Sequence, residues 1–134
     1  MKILLDTHVL LWDLSGEPVL TPKMVYYLED RDNTLFYSTV SLWEIAIKQK
    51  LHPDQLPFRA EQLSRYCEKF EYYRLDIKPE HIFALDTLQY TDMLHPHKDP
   101  FDRLLIAQAK AEGMRFMTHD DKLAGYDEPC ILRV

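Results

Sequence analysis

Met1-Lys2-Ile3-Leu4-Leu5-Asp6 opens the chain with three consecutive apolar residues closed by a carboxylate. An apolar run this short suits a strand buried on both faces. Related segments recur along the chain. Thr34–Tyr37 is rich in strand formers and follows the turn-like cluster Arg31-Asp32-Asn33; Tyr72–Leu75 and Arg115–Thr118 read as a third and fourth strand, and Ile131–Arg133 as a possible fifth. Helical segments separate them. Thr21-Pro22 supplies an N-cap with proline at the first helical position, ahead of a Val25/Leu28 stripe. A helix beginning at Ser41 carries Leu42, Ile45, Ala46 and Ile47, with Pro53 and Pro57 bounding the region beyond it. Gln62–Phe70 reads as a further helix. Pro79 opens another, with Ile82, Leu85 and Leu88 on one stripe, and Phe101–Glu112 is the clearest, with Gly113 placed to end it.

Short buried strands alternating with helices predict an α/β fold: a central parallel sheet of four or five short strands flanked by helices. Right-handed crossovers then bring the strand-to-helix turns to one edge of the sheet. Ligands bind at that edge, outside the carboxyl ends of the strands.

Composition sets the bounds. At 134 residues, 46% of them hydrophobic, the chain matches one domain spanning 1–134 with a buried core. No apolar run is long enough to span a bilayer, and the carboxylate at Asp6 interrupts any signal-peptide core, so a cytoplasmic location is expected and no membrane partner. Cys67 and Cys130 lack a CxxC spacing and read as two free thiols rather than a bridge. There are 16 basic against 22 acidic residues, for a net charge of −6. That balance argues against nucleic-acid binding by charge alone unless cations neutralise part of it.

The acidic residues are where the chemistry gathers. Asp6 follows the first strand, Asp120 follows the fourth, and Glu44 sits near the start of the helix after the second. Asp99 and Asp102 open the long helix. Each has a local explanation: Ser41-Leu42-Trp43-Glu44 fits a capping box, Asp99 fits an N-cap before Pro100, Asp102 suits the helix dipole, and Asp6 and Asp120 suit caps of their own. A parallel sheet nevertheless brings at least Asp6, Glu44 and Asp120 to the same edge, where they repel unless a cation lies between them. Oxygen ligands of this kind suit Mg²⁺ or Mn²⁺, which can activate water against a phosphodiester and stabilise the developing charge.

Four segments carry a family resemblance. Leu4-Leu5-Asp6-Thr7-His8-Val9-Leu10-Leu11-Trp12 resembles the opening motif of PIN domains, in particular the VapC toxins of type II toxin–antitoxin pairs. Ser41-Leu42-Trp43-Glu44-Ile45-Ala46-Ile47-Lys48 is similar to their second motif, Asp99-Pro100-Phe101-Asp102-Arg103-Leu104-Leu105-Ile106-Ala107-Gln108-Ala109 to the third, and Thr118-His119-Asp120 to the fourth. The resemblance implies a Mg²⁺- or Mn²⁺-dependent endoribonuclease that leaves a 5′-phosphate and a 3′-hydroxyl. It further implies a homodimer inhibited by a small VapB-like antitoxin whose tail reaches the active site. It makes Asp6, Glu44, Asp102 and Asp120 the metal-binding quartet, with Asp99 either a further catalytic carboxylate or a helix cap.

Around these, Thr7, His8, Lys48, Arg103, Thr118 and His119 are candidates for substrate contact, Lys48 and Arg103 (with Lys50) through RNA phosphates. The lysines also suit a solvated helix face, His8 and His119 suit solvent-facing loops, and Arg103 suits a pair with a carboxylate. His95-Pro96-His97 reads as a polar loop leading into a helix in preference to a zinc site, since neither cysteine is near it. Trp12, Trp43, Tyr26 and Tyr27 read as core or dimer interface in preference to base-stacking platforms. The chain has no Gly-rich phosphate loop and no GxSxG. Two alternatives remain open: a structure-specific DNA nuclease, and a non-catalytic PIN protein that binds RNA or a peptide.

Overall fold

The structure, a computed structural model, describes residues 1–16, 19–56 and 58–134. Pro57, read above as bounding a helix, lies outside the described residues. Five strands, β1 (Lys2–Leu5), β2 (Thr34–Ser38), β3 (Tyr73–Leu75), β4 (Arg115–Thr118) and β5 (Ile131–Arg133), form one sheet in the order β3-β2-β1-β4-β5. Every pairing is parallel. Six helices flank it among the described residues: α1 (Thr7–Ser15), α2 (Pro22–Glu29), α3 (Thr39–Leu51), α4 (Ala60–Lys69), α5 (Pro79–Ala84) and α6 (Pro100–Glu112).

Alternation along β1 divides the core in two. Ile3 and Leu5 join Val9, Leu10, Tyr37, Leu63 and Met117 on one face. Leu4 points to the other, with Leu105, Ile106, Ala109 and Phe116. A strand apolar at every position is what burial on both faces requires. The strand order also fixes the ligand edge. The chain runs outward from β1 through β2 to β3, then returns to β4 on the opposite side of β1. The carboxyl ends of β1 and β4 therefore flank the topological switch point, where open α/β sheets leave a crevice.

Two helices depart from the sequence reading. Ser38, not Ser41, caps α3, its hydroxyl accepting from the Val40 amide at 2.9 Å. Ser41 and Glu44 thus lie inside the helix, and no capping box joins them. Val40, Ser41, Glu44 and Ile45 are buried while Ala46 and Ile47 face outward. The Pro79 helix is only six residues long and passes into a 3-10 turn at Leu85–Thr87. Its buried residue is His81, and Ile82 is exposed, so the expected Ile82/Leu85/Leu88 stripe does not belong to one regular helix. Both cysteines are free.

Gly113 ends α6 at φ 67°, as its sequence position suggests. The corresponding turn after α4 is made by Glu71 at φ 63°, a left-handed conformation that disfavours a β-carbon. Glu71→Gly is expected to raise stability by about 0.5–1 kcal/mol, the relieved strain exceeding the added entropy of the unfolded chain. An unchanged or lower urea midpoint would contradict this.

Candidate metal and nuclease centre

Asp6 leaves β1 at the N-cap position of α1, but its side chain makes no capping bond. Instead the Thr118 hydroxyl at the end of β4 donates to Asp6 Oδ2 at 2.7 Å, and the Asp120 amide donates to the same hydroxyl at 3.1 Å. One threonine thus ties the carboxylate of β1 to the turn that carries Asp120. Glu44, on the inward face of α3, receives the Thr7 hydroxyl at 2.7 Å, and Thr7 also bonds the Ser41 hydroxyl at 2.8 Å. Lys48, one turn on, pairs with the second Glu44 oxygen.

Asp99 and Asp102 have different surroundings. Asp99 Oδ1 accepts from the amides of Phe101 and Asp102 at 2.9 and 3.2 Å, capping α6. Asp102 has no capping bond. Its Oδ2 faces His97 Nε2 at 3.2 Å. Asp120 accepts from the Lys122 amide at 2.9 Å and so caps the 3-10 turn that follows.

The protonation equilibria show that these carboxylates act on one another. Burial lifts Asp102 to about 8, with the charges of Asp6, Asp99, Glu44 and Asp120 adding to the rise. Asp6, only 3% exposed, is also raised, chiefly by burial and in part by Glu44, against the lowering effect of its Thr118 bond. For Lys48 burial acts downward, but its Glu44 bond and the charges of Glu44, Asp99 and Asp102 outweigh it, and the ammonium is held above its ordinary range. His97 is lowered mainly by burial, and the nearby Asp99 and Asp120 only partly offset that.

Two openings reach the cluster. A small cleft of about 240 Å³ is lined by Asp6, Asp120, His8, Trp12 and His119. A larger groove of about 630 Å³ runs between α1 and α3, bordered by Thr7, Trp12, Glu44, Lys48 and Leu56 among others. Of the proposed substrate contacts, His8 and His119 are exposed and face the cleft, with Trp12 between them at 6.0 Å from each ring. Thr7 and Thr118 are buried, their hydroxyls engaged with carboxylates. Arg103 donates to the Tyr126 hydroxyl at 3.3 Å instead of pairing with a carboxylate. Trp43 and Tyr26 are exposed, Trp43 packing edge-on against Phe101, whereas Tyr27 is partly buried against the core.

Sequence reasoning missed His97 and Tyr126. His97 sits in the expected loop, yet its ring touches both Tyr126 and Asp102. No spacing rule announces this, because Tyr126 arrives from the far side of β4. Its one sequence-level trace is a histidine a few residues ahead of the acidic helix start.

Among the described residues, no three His, Cys, Asp or Glu side chains stand close enough to ligate one ion together. The donor set still suits a hydrated hard cation. Asp6, Glu44, Asp102 and Asp120 are all oxygen donors, Asp102 is raised by burial and then by its acidic neighbours, and Mg²⁺ commonly binds through one or two carboxylates while keeping several waters.

The chain belongs to the PIN-domain family, whose model, described as PIN domain, matches residues 3–129. No curated protein matches it. Among solved structures it is similar to VapBC2 from Rickettsia felis bound to a DNA fragment from their promoter, with a TM-score of 0.67 at 17% identity, covering 100% of this chain and 98% of that one. DNA-bound VapBC from Salmonella typhimurium aligns at 0.66 and 14% identity, covering 99% and 98%. A toxin–antitoxin complex from Klebsiella pneumoniae aligns at 0.61 and 18%, covering 97% and 95%. These likenesses establish a shared fold.

Two measurements test this description. With Asp102 raised from its ordinary 3.8 to about 8, the folded state binds more protons than the unfolded state between those values, so stability falls as pH rises through that window. In EDTA, Asp102→Asn should therefore melt close to the wild type near pH ~4 and several degrees above it by pH ~8; a pH-independent difference would refute the raised carboxyl. Asp99→Ala should cost about 1 kcal/mol through the lost cap, with Asp99→Ser restoring most of it. Equal urea midpoints for all three proteins would remove Asp99 from the capping role.

Proposed function

We propose that this protein is a Mg²⁺- or Mn²⁺-dependent endoribonuclease, the toxin of a toxin–antitoxin pair. The observation that carries the reading is the gathering of carboxylates at the switch point of the sheet, where Asp6 and Asp120 line one cleft and Asp102, raised chiefly by burial, is raised further by Asp6, Asp99, Glu44 and Asp120. Asp6, Glu44, Asp102 and Asp120 are the residues that would hold the metal, with Asp99 supporting Asp102 by capping α6. The bound ion would supply positive charge to the phosphodiester and a more acidic water for attack.

The chain's own residues prepare the site. Thr118 and Thr7 fix the rotamers of Asp6 and Glu44 before substrate arrives, so little reorganisation remains for the reaction. Lys48 neutralises Glu44 and is placed to contact a phosphate oxygen once that pair exchanges for a cation. His8 and His119 flank the cleft beside Asp6 and Asp120 and are placed to contact the RNA backbone. A net charge of −6 leaves little non-specific attraction for RNA, so binding would depend on metal and on these few contacts.

The antitoxin assignment is supported by the four motifs and by the structural neighbours, which are toxin–antitoxin complexes. The groove between α1 and α3 leads to Glu44 and Lys48 and has room for the tail of such a partner. A homodimer is proposed on the resemblance. No helix among the described residues is long and apolar enough to cross a membrane.

The decisive experiment incubates purified protein with matched RNA and DNA oligonucleotides, with and without EDTA. RNA cleavage restored by Mg²⁺ or Mn²⁺ is expected, falling at least about 100-fold in Asp6→Asn. Cleavage that survives both EDTA and Asp6→Asn would sink the mechanism, and preferential DNA cleavage would reassign the substrate. Millimolar Mg²⁺ should also raise the melting temperature of the RNA-free protein.

A further inference from the structure

Beside the acidic cluster, four side chains form a single hydrogen-bonded chain that the motifs do not contain as a unit. Arg103 Nη1 donates to the Tyr126 hydroxyl at 3.3 Å, that hydroxyl meets His97 Nδ1 at 2.7 Å, and His97 Nε2 meets Asp102 Oδ2 at 3.2 Å. The chain is shielded from water. The His97 side chain is 6% exposed and that of Asp102 14%, and the rings of Tyr90 and Tyr126 pack against the imidazole.

The polarity of the chain follows from what each group is able to donate. A guanidinium only donates, so the Tyr126 oxygen accepts from Arg103 and its own proton is free to point at His97 Nδ1. Nδ1 then accepts, which places the imidazole proton on Nε2. An ionised Asp102 accepts only, so it requires that same proton on Nε2. Both ends of the chain demand one tautomer, and a buried chain with every member satisfied holds its geometry.

We propose that His97 is a positioning residue for Asp102, oriented by Tyr126 and Arg103, and that it holds Oδ2 so that Oδ1 is presented to the divalent cation. The inference rests on the nuclease reading above and adds to it a supporting layer outside the acidic quartet. Hydrogen-bonding partners of this kind orient metal-binding carboxylates, and their loss costs about 10–100-fold in metal affinity or activity.

The test compares wild type, His97→Phe, His97→Gln and Tyr126→Phe, first checking that each melts cooperatively. Mn²⁺ affinity is measured by electron paramagnetic resonance without RNA, RNA cleavage is titrated against Mn²⁺, and the His97 tautomer is read by ¹⁵N NMR on metal-free protein at a pH well above the raised Asp102 range, where that carboxyl is ionised. His97→Phe keeps a planar ring but has no donor, and should weaken Mn²⁺ binding about 10–100-fold, with the loss falling more on the Mn²⁺ dependence of cleavage than on kcat. His97→Gln, whose amide is able to reach the Nε2 position, should recover most of that affinity. Tyr126→Phe should weaken Mn²⁺ several-fold and move the His97 resonances away from a pure Nε2–H form. Wild-type Mn²⁺ affinity in a folded His97→Phe, or an Nε2 lacking its proton in the wild type at the pH where Asp102 is ionised, overturns the inference while leaving the nuclease reading in place. If His97→Phe does not fold, unchanged affinity and tautomer in Tyr126→Phe overturn it instead. A wild-type protein that binds no Mn²⁺ overturns both.

Discussion

Carboxylates gathered behind apolar walls repel one another more strongly than they do in water, and the crevice between β1 and β4 is built around that repulsion. Asp102 registers it, lifted by burial and by four neighbouring acids. Lys48 neutralises Glu44, and Thr118 and Thr7 supply single hydrogen bonds to Asp6 and Glu44. Ionising Asp6 and Asp102 in the folded state therefore costs stability, because both carboxyls are raised above their ordinary range.

The remaining architecture makes this arrangement sustainable. Parallel strands buried on both faces place β1 and β4 side by side, so that Asp6 and the Thr118–Asp120 turn emerge together. Helix α3, capped by Ser38, carries Glu44 on its buried face. Ser41 and Glu44 face inward, where Thr7 meets both. Helix α6 is anchored by Asp99, whose capping bonds fix the first turn and hence the position of Asp102. Caps and catalytic candidates are thus neighbouring parts of one construction, divided between two aspartates three residues apart.

Much of the fold was legible because its signals are local. The apolar run Ile3–Leu5, the cap-and-proline pair Thr21-Pro22, and Gly113 at the end of α6 each report the conformation of their own few residues. Two local signals mislead. Ser41-Leu42-Trp43-Glu44 matches a capping box residue for residue, yet Ser38 takes the cap and packs its hydroxyl against Gln108 from α6. In the 79–88 segment, the apolar spacing outlasts the helix because the chain tightens into a 3-10 turn at Leu85. Tertiary contact, absent from any local window, accompanies the first departure.

The amino-acid sequence by itself determined that strands of this length would be buried and parallel, and that Asp6, Asp102 and Asp120 would fall where strands end or helices begin. Periodicity and caps encode those facts within a few residues. Only the tertiary structure decided which acids cap and which remain available: Asp99 is taken up by the amides of α6, and Asp102 faces His97. It also decided that a tyrosine from beyond β4 would orient a histidine ahead of α6. Hydrogen bonds between segments distant in the chain have no periodic trace, because their geometry exists only after the sheet has brought those segments together.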